Sequence, residues 1–524
     1  MKNVHLVFCS ILFLLFSGKV LSQILPNGVS VKNGPEIQGQ DIHEISQLLK
    51  YTKSGYITCT RTGFVIQFVH VSNKLEVLKS VNMDVRDFNK EAHLINVVLV
   101  NSDILVFTKV SDKENFESQI YFQKLNESDY SLSQAKSLIS KTTTEDEGFV
   151  SCSISASDDT KKVVITMKVD VEVDANEKKV ELLDVYLLNE DLEITWQKDS
   201  IMMSTDELNV STGKVVVTNS GLICLNATSS GFDSDDSEVT IEINGLEGLL
   251  NLLNNFQRHV VLIQKDMEPM LYQFKLDEYD ISALKFVLDA NDNVRVVGVY
   301  KAIKGEERGF YYALINASTG EFEFENLSVF GDMKGVITSN SHYEDPQVAE
   351  ALRLTRNIRP RFTIDYLLPD NDGLTLVGES YFSNYGYGTY YRYGIAVVRF
   401  NKQGEIEWQQ GVPKIQYGES KNDSYAGYGM IKSGKKLSFV FNFLPLDKSN
   451  GMVEGKSWST KKASAIYLAQ VDRDGELRID FVVPGGKKPF WKPKNMVLPN
   501  NKEGVILGVG KNKIEFLKIE IQED

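Results

Sequence analysis

One short pattern recurs along this chain and constrains its fold more than any other feature. Leu188-Asn189-Glu190-Asp191-Leu192-Glu193-Ile194-Thr195-Trp196-Gln197 matches Phe400-Asn401-Lys402-Gln403-Gly404-Glu405-Ile406-Glu407-Trp408-Gln409. Ile315 to Phe322 and Val471 to Leu477 repeat it. Val71 to Val77, Asn126 to Leu132 and Leu276 to Ile281 are looser copies. Each copy reads as a strand, a tight turn and a second strand. Asn or Asp opens the turn, and Gly, where present, takes the positive φ. The hairpins fall near residues 76, 131, 193, 280, 321, 405 and 476. A four-stranded propeller blade takes about 40–50 residues, so the longer intervals hold insertions.

The rest of the chain agrees with an all-β reading. Val163 to Met167, Val294 to Tyr300 and Ile395 to Phe400 are short β-branched runs bounded by turn residues. Tyr366 to Glu379 holds two strands around Pro369-Asp370-Asn371-Asp372-Gly373, ahead of the hairpin at 400–409. Apolar spacing suggests two short helices, Leu246 to Gln257 and Pro346 to Arg356.

This arrangement resembles the blade pattern of secreted bacterial β-propeller repeat proteins. The resemblance is clear over residues 360–482 and diffuse elsewhere. It departs from the WD40 and Kelch signatures and implies an architecture, not an activity. The expected fold is all-β: a single β-propeller of about eight four-stranded blades, with seven as the alternative, over residues 43–524. At the C-terminal end Asn495 to Pro499, Gly504 to Val509 and Ile514 to Ile521 give three strands and stop. Gly28 to Val31, within an N-terminal segment of residues 23–42, is the candidate for the missing fourth.

Residues 1–22 read as a signal peptide. Lys2 precedes an apolar run from Leu6 to Phe16, and Ser22 is a small residue at the expected cut. The expected location is outside the cell, in the periplasm or in the outer envelope. The full chain carries a formal charge of −14. An acidic surface does not attract a phosphate backbone, so nucleic acid is not an expected partner. No later segment is apolar for long enough to span a membrane. Cys59, Cys152 and Cys224 are far apart and sit in strand-like contexts, which suits small buried side chains better than a disulfide or a nucleophile.

Signs of catalysis are sparse. The histidines show neither HxH nor HExxH spacing, and there is no GxSxG elbow or P-loop. Asp289-Ala290-Asn291-Asp292-Asn293 alternates oxygen ligands, but Val294 stands where a calcium loop needs glycine. It reads as a turn. The acidic run from Asp233 to Glu238 reads as a solvated loop. No metal or cofactor is expected.

Loop lengths say more. The A–B and C–D turns are short, and the B–C and D–A connections are long. Alternate connections share one face of a propeller, so the long ones gather on one side, where binding residues are favoured. Tyr381, Tyr385, Tyr387, Tyr390, Tyr391 and Arg392 crowd one such connection. His342 lies in a second, and Trp491 and Lys492 in a third. Tyr, Trp and Arg are typical of recognition surfaces. The expected function is non-enzymatic binding of a protein, peptide or glycan. The alternative is a polysaccharide hydrolase or lyase, which would need paired carboxylates at the channel mouth.

Overall fold

The computed structural model describes residues 28–522 apart from a set of connections, the longest being 231–255, 332–360 and 444–464. The strands form eight antiparallel sheets, arranged as a β-propeller. Blade 1 covers residues 47–84, blade 2 residues 92–142, blade 3 residues 151–202 and blade 4 residues 209–274. Blade 5 covers 279–329, blade 6 361–412 and blade 7 429–483. Strands run A to D in chain order within each of these. Blade 8 is different. Phe490–Trp491 and Val497–Asn500 together form its strand A, Glu503–Val509 its strand B and Lys513–Ile521 its strand C. Its strand D is Val29–Asn33, from the other end of the chain, which pairs antiparallel with strand C from Val29↔Ile521 to Asn33↔Leu517.

The packing explains why the strands are so apolar. Among the described residues, buried side chains form eight clusters, and each lies between two neighbouring blades. The cluster holding Ile42, Tyr56, Val71, Leu507 and Phe516 joins blade 8 to blade 1 and completes the circuit. Every blade is thus covered on both faces. Middle strands such as Val294–Ala302 therefore read as nearly continuous hydrophobic runs rather than alternating ones.

The repeated hairpin has one stereochemistry. In blade 6 the Asn401 backbone N–H donates to the Glu405 carbonyl, and its side-chain oxygen accepts from the N–H groups of Gln403 and Glu405. Asn189 and Asp472 make the same set in blades 3 and 7. In blade 1 the Ser72 hydroxyl takes this place. The fourth residue of each turn has positive φ: Leu75, Leu192, Gly404 and Gly475.

Two expectations need correction. Leu276 to Ile281 is not a C–D hairpin but the passage from blade 4 into strand A of blade 5, Tyr279–Leu288. The real turn of blade 4 runs from Gln264 to Pro269 and lacks the Asn or Gly that would announce it. Phe256 and Gln257 open a strand, Phe256–Ile263, rather than close a helix. The rest of both expected helices, the run from Asp233 to Glu238 and residues 1–22 lie outside the described residues. The Asp289 segment is an ordinary turn. Its carboxylate accepts from Asn291 and Asn293 N–H and pairs with Arg295 at 3.2 Å.

Candidate recognition site

Blade 6 breaks the regularity of the ring. Its strands B, Gly373–Asn384, and C, Thr389–Asn401, are 12 and 13 residues long, the longest among the described strands. The B–C ladder continues beyond the point where strand D ends at Val412, through Tyr381↔Arg392, Phe382↔Tyr391, Ser383↔Tyr390 and Asn384↔Thr389. A fifth strand, Gln416–Glu419, pairs with the extension of strand C from Arg392↔Gln416 to Thr389↔Glu419. The result is a three-stranded outgrowth on the long-connection face. It carries Tyr381, Tyr390, Tyr391 and Arg392 on its strands. Tyr385 and Tyr387 fall between them, outside the described residues, as does His342.

A buried polar network roots this outgrowth. The register slips between Glu379 and Tyr381, where the extension begins. Glu379 is 1% exposed, and its carboxylate forms ion pairs with Lys414 and Arg392. Lys414 is itself buried, and its ammonium donates to Gln416 Oε1 at 2.7 Å. Gln416 then accepts from Gly427 N–H at 2.7 Å and donates to the Asn442 carbonyl at 2.8 Å. Asn442 Nδ2 donates to the Trp491 carbonyl at 2.8 Å. The network runs from blade 6 through blade 7 to blade 8.

A second arm lies on strand A, Arg361–Asp370, of the same blade. Asp365 is the extra residue of a β-bulge between Ile364 and Tyr366. Tyr428 Oη donates to Asp365 Oδ2 at 2.7 Å. Lys285, on strand A of blade 5, donates to the Asp365 carbonyl. Burial pushes the Asp365 carboxyl above the ordinary carboxylate range, against the hydrogen bond from Tyr428. Burial also raises the Tyr428 phenol well above its usual value and lowers the Lys414 ammonium, although Glu379 pulls the latter back up.

Glu379 is paired with two cations, and Asp365 accepts from a tyrosine. Their role in this arrangement is to fix the base of the outgrowth. Sequence reading missed Glu379, Lys414, Gln416, Asp365 and Tyr428. The signal was faint: a Glu after a run of strand residues, and Lys414 and Gln416 at alternate positions behind Pro413.

Trp491 and Lys492 are placed differently from the loop expectation. Trp491 is 4% exposed and packs with Ile466, Leu468 and Ile506 between blades 7 and 8. Lys492 is also buried, and its N–H donates to the Leu507 carbonyl. The connection that contains them folds back into strand A of blade 8, which removes both side chains from the surface. Arg392 lies at the root of the outgrowth, on Glu379.

The architecture defines an eight-bladed β-propeller closed by its own N-terminal segment. No protein-family model matches the chain, and no curated protein sequence matches it. Solved structures resemble it at low identity. The core factor of S. cerevisiae is 10% identical or less (8%), with a TM-score of 0.34; the likeness covers 97% of this chain, which spans 64% of that one. Polysaccharide lyase Uly1 is 10% identical with a TM-score of 0.38, covering 96% of this chain and 94% of the lyase. The β-propeller domain of the trilobed protease from Pyrococcus furiosus is 9% identical with a TM-score of 0.32, covering 84% of this chain and 99% of that domain. Among the described residues no helix is long and apolar enough to cross a membrane.

Proposed function

We propose that this protein is an exported binding propeller that captures a protein, peptide or glycan outside the cytoplasm through the aromatic outgrowth of blade 6. One observation carries the reading. The two longest of the described strands extend past their own sheet, are braced by a fifth strand, and carry Tyr381, Tyr390 and Tyr391 on the extension. A rigid scaffold with aromatic side chains at its end keeps the ordering cost of binding low. The carboxylates beneath it are committed to the scaffold, which favours binding over hydrolysis or elimination.

The test uses the mature chain as bait against the native envelope fraction, with a glycan array in parallel. Tyr387→Ala together with Tyr391→Ala is expected to abolish capture and leave the melting temperature unchanged. If the variant folds and still captures its partner at wild-type strength, the outgrowth is not the recognition element.

A further inference from the structure

A second site lies on the opposite side of the ring, independent of the outgrowth. There the short turns of blades 6 and 7 enclose a cavity of about 250 Å³. Leu368, Thr375, Leu437 and Trp408, the last on strand D of blade 6, are among its lining residues. Three turns contribute to the lining. They are the A–B turn of blade 6 with Asp370 and Asp372, the A–B turn of blade 7 with Lys432 and Lys435, and the C–D turn of blade 7 with Asp472 and Arg473.

Four cationic side chains, Arg399, Arg473, Lys432 and Lys435, stand here against four carboxylates, Asp370, Glu407, Asp372 and Asp472, but they are unevenly paired. Arg399 is bound by Asp370 through two hydrogen bonds of 2.8 and 2.9 Å, and by Glu407 at 3.2 Å. Arg473 pairs with Asp372 at 3.3 Å. Asp472 accepts two backbone N–H groups of its own turn. Lys432 and Lys435 make no ion pair among the described residues, although both line the cavity. Two ammonium groups on one turn therefore stand outside the ion pairs of the described residues.

The walls are also fixed before any ligand arrives. Trp408 Nε1–H donates to the Arg473 carbonyl at 2.8 Å, tying the wall of blade 6 to the turn of blade 7. Gly475 has positive φ and lies so close that a Cβ there would sit 3.0 Å from the indole. The turn between the two lysines includes Gly434, also at positive φ. Preformed walls, some apolar surface and a few convergent charges are features of small-molecule sites.

We infer that this cavity binds a small ring-bearing monoester of phosphate or sulfate, with the ring against Trp408 and Leu437 and the oxyanion on Lys432 and Lys435. Lysine engages such groups as a point charge, and two on one rim favour an oxyanion ester over a neutral ring. The cavity has room for one ring and its anionic group, not for a polymer.

The probes are phenyl phosphate, phenyl sulfate, inorganic phosphate and phenol, titrated into the mature chain by calorimetry at low salt. At least one of the two phenyl esters should bind about tenfold more tightly than inorganic phosphate or phenol alone. The better ester distinguishes phosphate from sulfate as the source of the anion. Lys432→Gln with Lys435→Gln should weaken that ester by about tenfold or more and leave the melting temperature in place, because both side chains are exposed. Binding of neither ester would overturn the proposal. So would an ester that binds no better than inorganic phosphate, or one whose affinity survives the double substitution in a folded protein.

Discussion

Val29 and Ile521 face each other across an antiparallel ladder, although nearly the whole chain lies between them. Their pairing gives blade 8 its fourth strand and closes the ring. The side chains of Val29, Leu517, Ile519 and Ile521 enter the same core as Ile431 and Val440 of blade 7. Closure and core packing are therefore one event.

Deleting residues 23–40 removes this strand and leaves Lys513–Ile521 as an open, largely apolar edge. Such an edge invites pairing with other chains. The expected result is a melting temperature lower by about 5 °C or more, together with concentration-dependent aggregation. Calorimetry and light scattering check it. An unchanged transition and a monodisperse sample would show that the strand is dispensable.

Glu379→Gln should destabilise the fold by about 3–5 kcal/mol, the scale for removing one partner of a buried ion pair. Lys414 would be left charged or forced to lose its proton in a site with almost no exposure. Adding Lys414→Met should recover part of the loss, because Arg392 is partly exposed and can reach water. Denaturant unfolding of the single and double variants separates these outcomes. Equal loss in both would remove Lys414 from the explanation.

Asp365 gives a pH dependence of defined sign. Burial raises its folded pKa above the ordinary 3.8, so the folded state holds this proton more tightly than the unfolded chain. Its favourable contribution is complete below about 3.8 and fades as pH rises through the raised value. Asp365→Asn stays neutral at every pH and can still accept from Tyr428. Relative to wild type, it should therefore be more stable at pH 7 than at pH 3. Unfolding free energies at several pH values test this, and parallel curves would refute it.

Thiol reactivity follows from burial. Cys59, Cys152 and Cys224 form no disulfide among the described residues, and the first and last are buried within sheets. Burial pushes the Cys59 thiol up to about 12 and that of Cys152 up to about 11. A thiolate is the reactive species. Ellman's reagent at pH 8 should label these residues slowly in the native protein and rapidly in guanidinium. Fast labelling of Cys59 before unfolding would contradict the packing between blades 1 and 2.

The sequence by itself determined the period, the strands and the turns. Asn189, Asn401 and Asp472 close their hairpins with their own side chains, and that chemistry is local, so it can be read from neighbouring residues. The same holds for the absence of a calcium turn glycine at Val294. Where the local signal failed, as between Gln264 and Pro269, the hairpin was misplaced to Leu276, and the strand pairing corrected it. What the sequence could not decide were relationships between distant segments. Trp491 and Tyr391 are both aromatics in long connections, yet one is sealed between blades 7 and 8 and the other lies on the outgrowth of blade 6. Glu379, Lys414, Gln416 and Asn442 meet because strands from different blades converge there. A burial environment belongs to the packed ring, and it arises only once each blade has covered its neighbour.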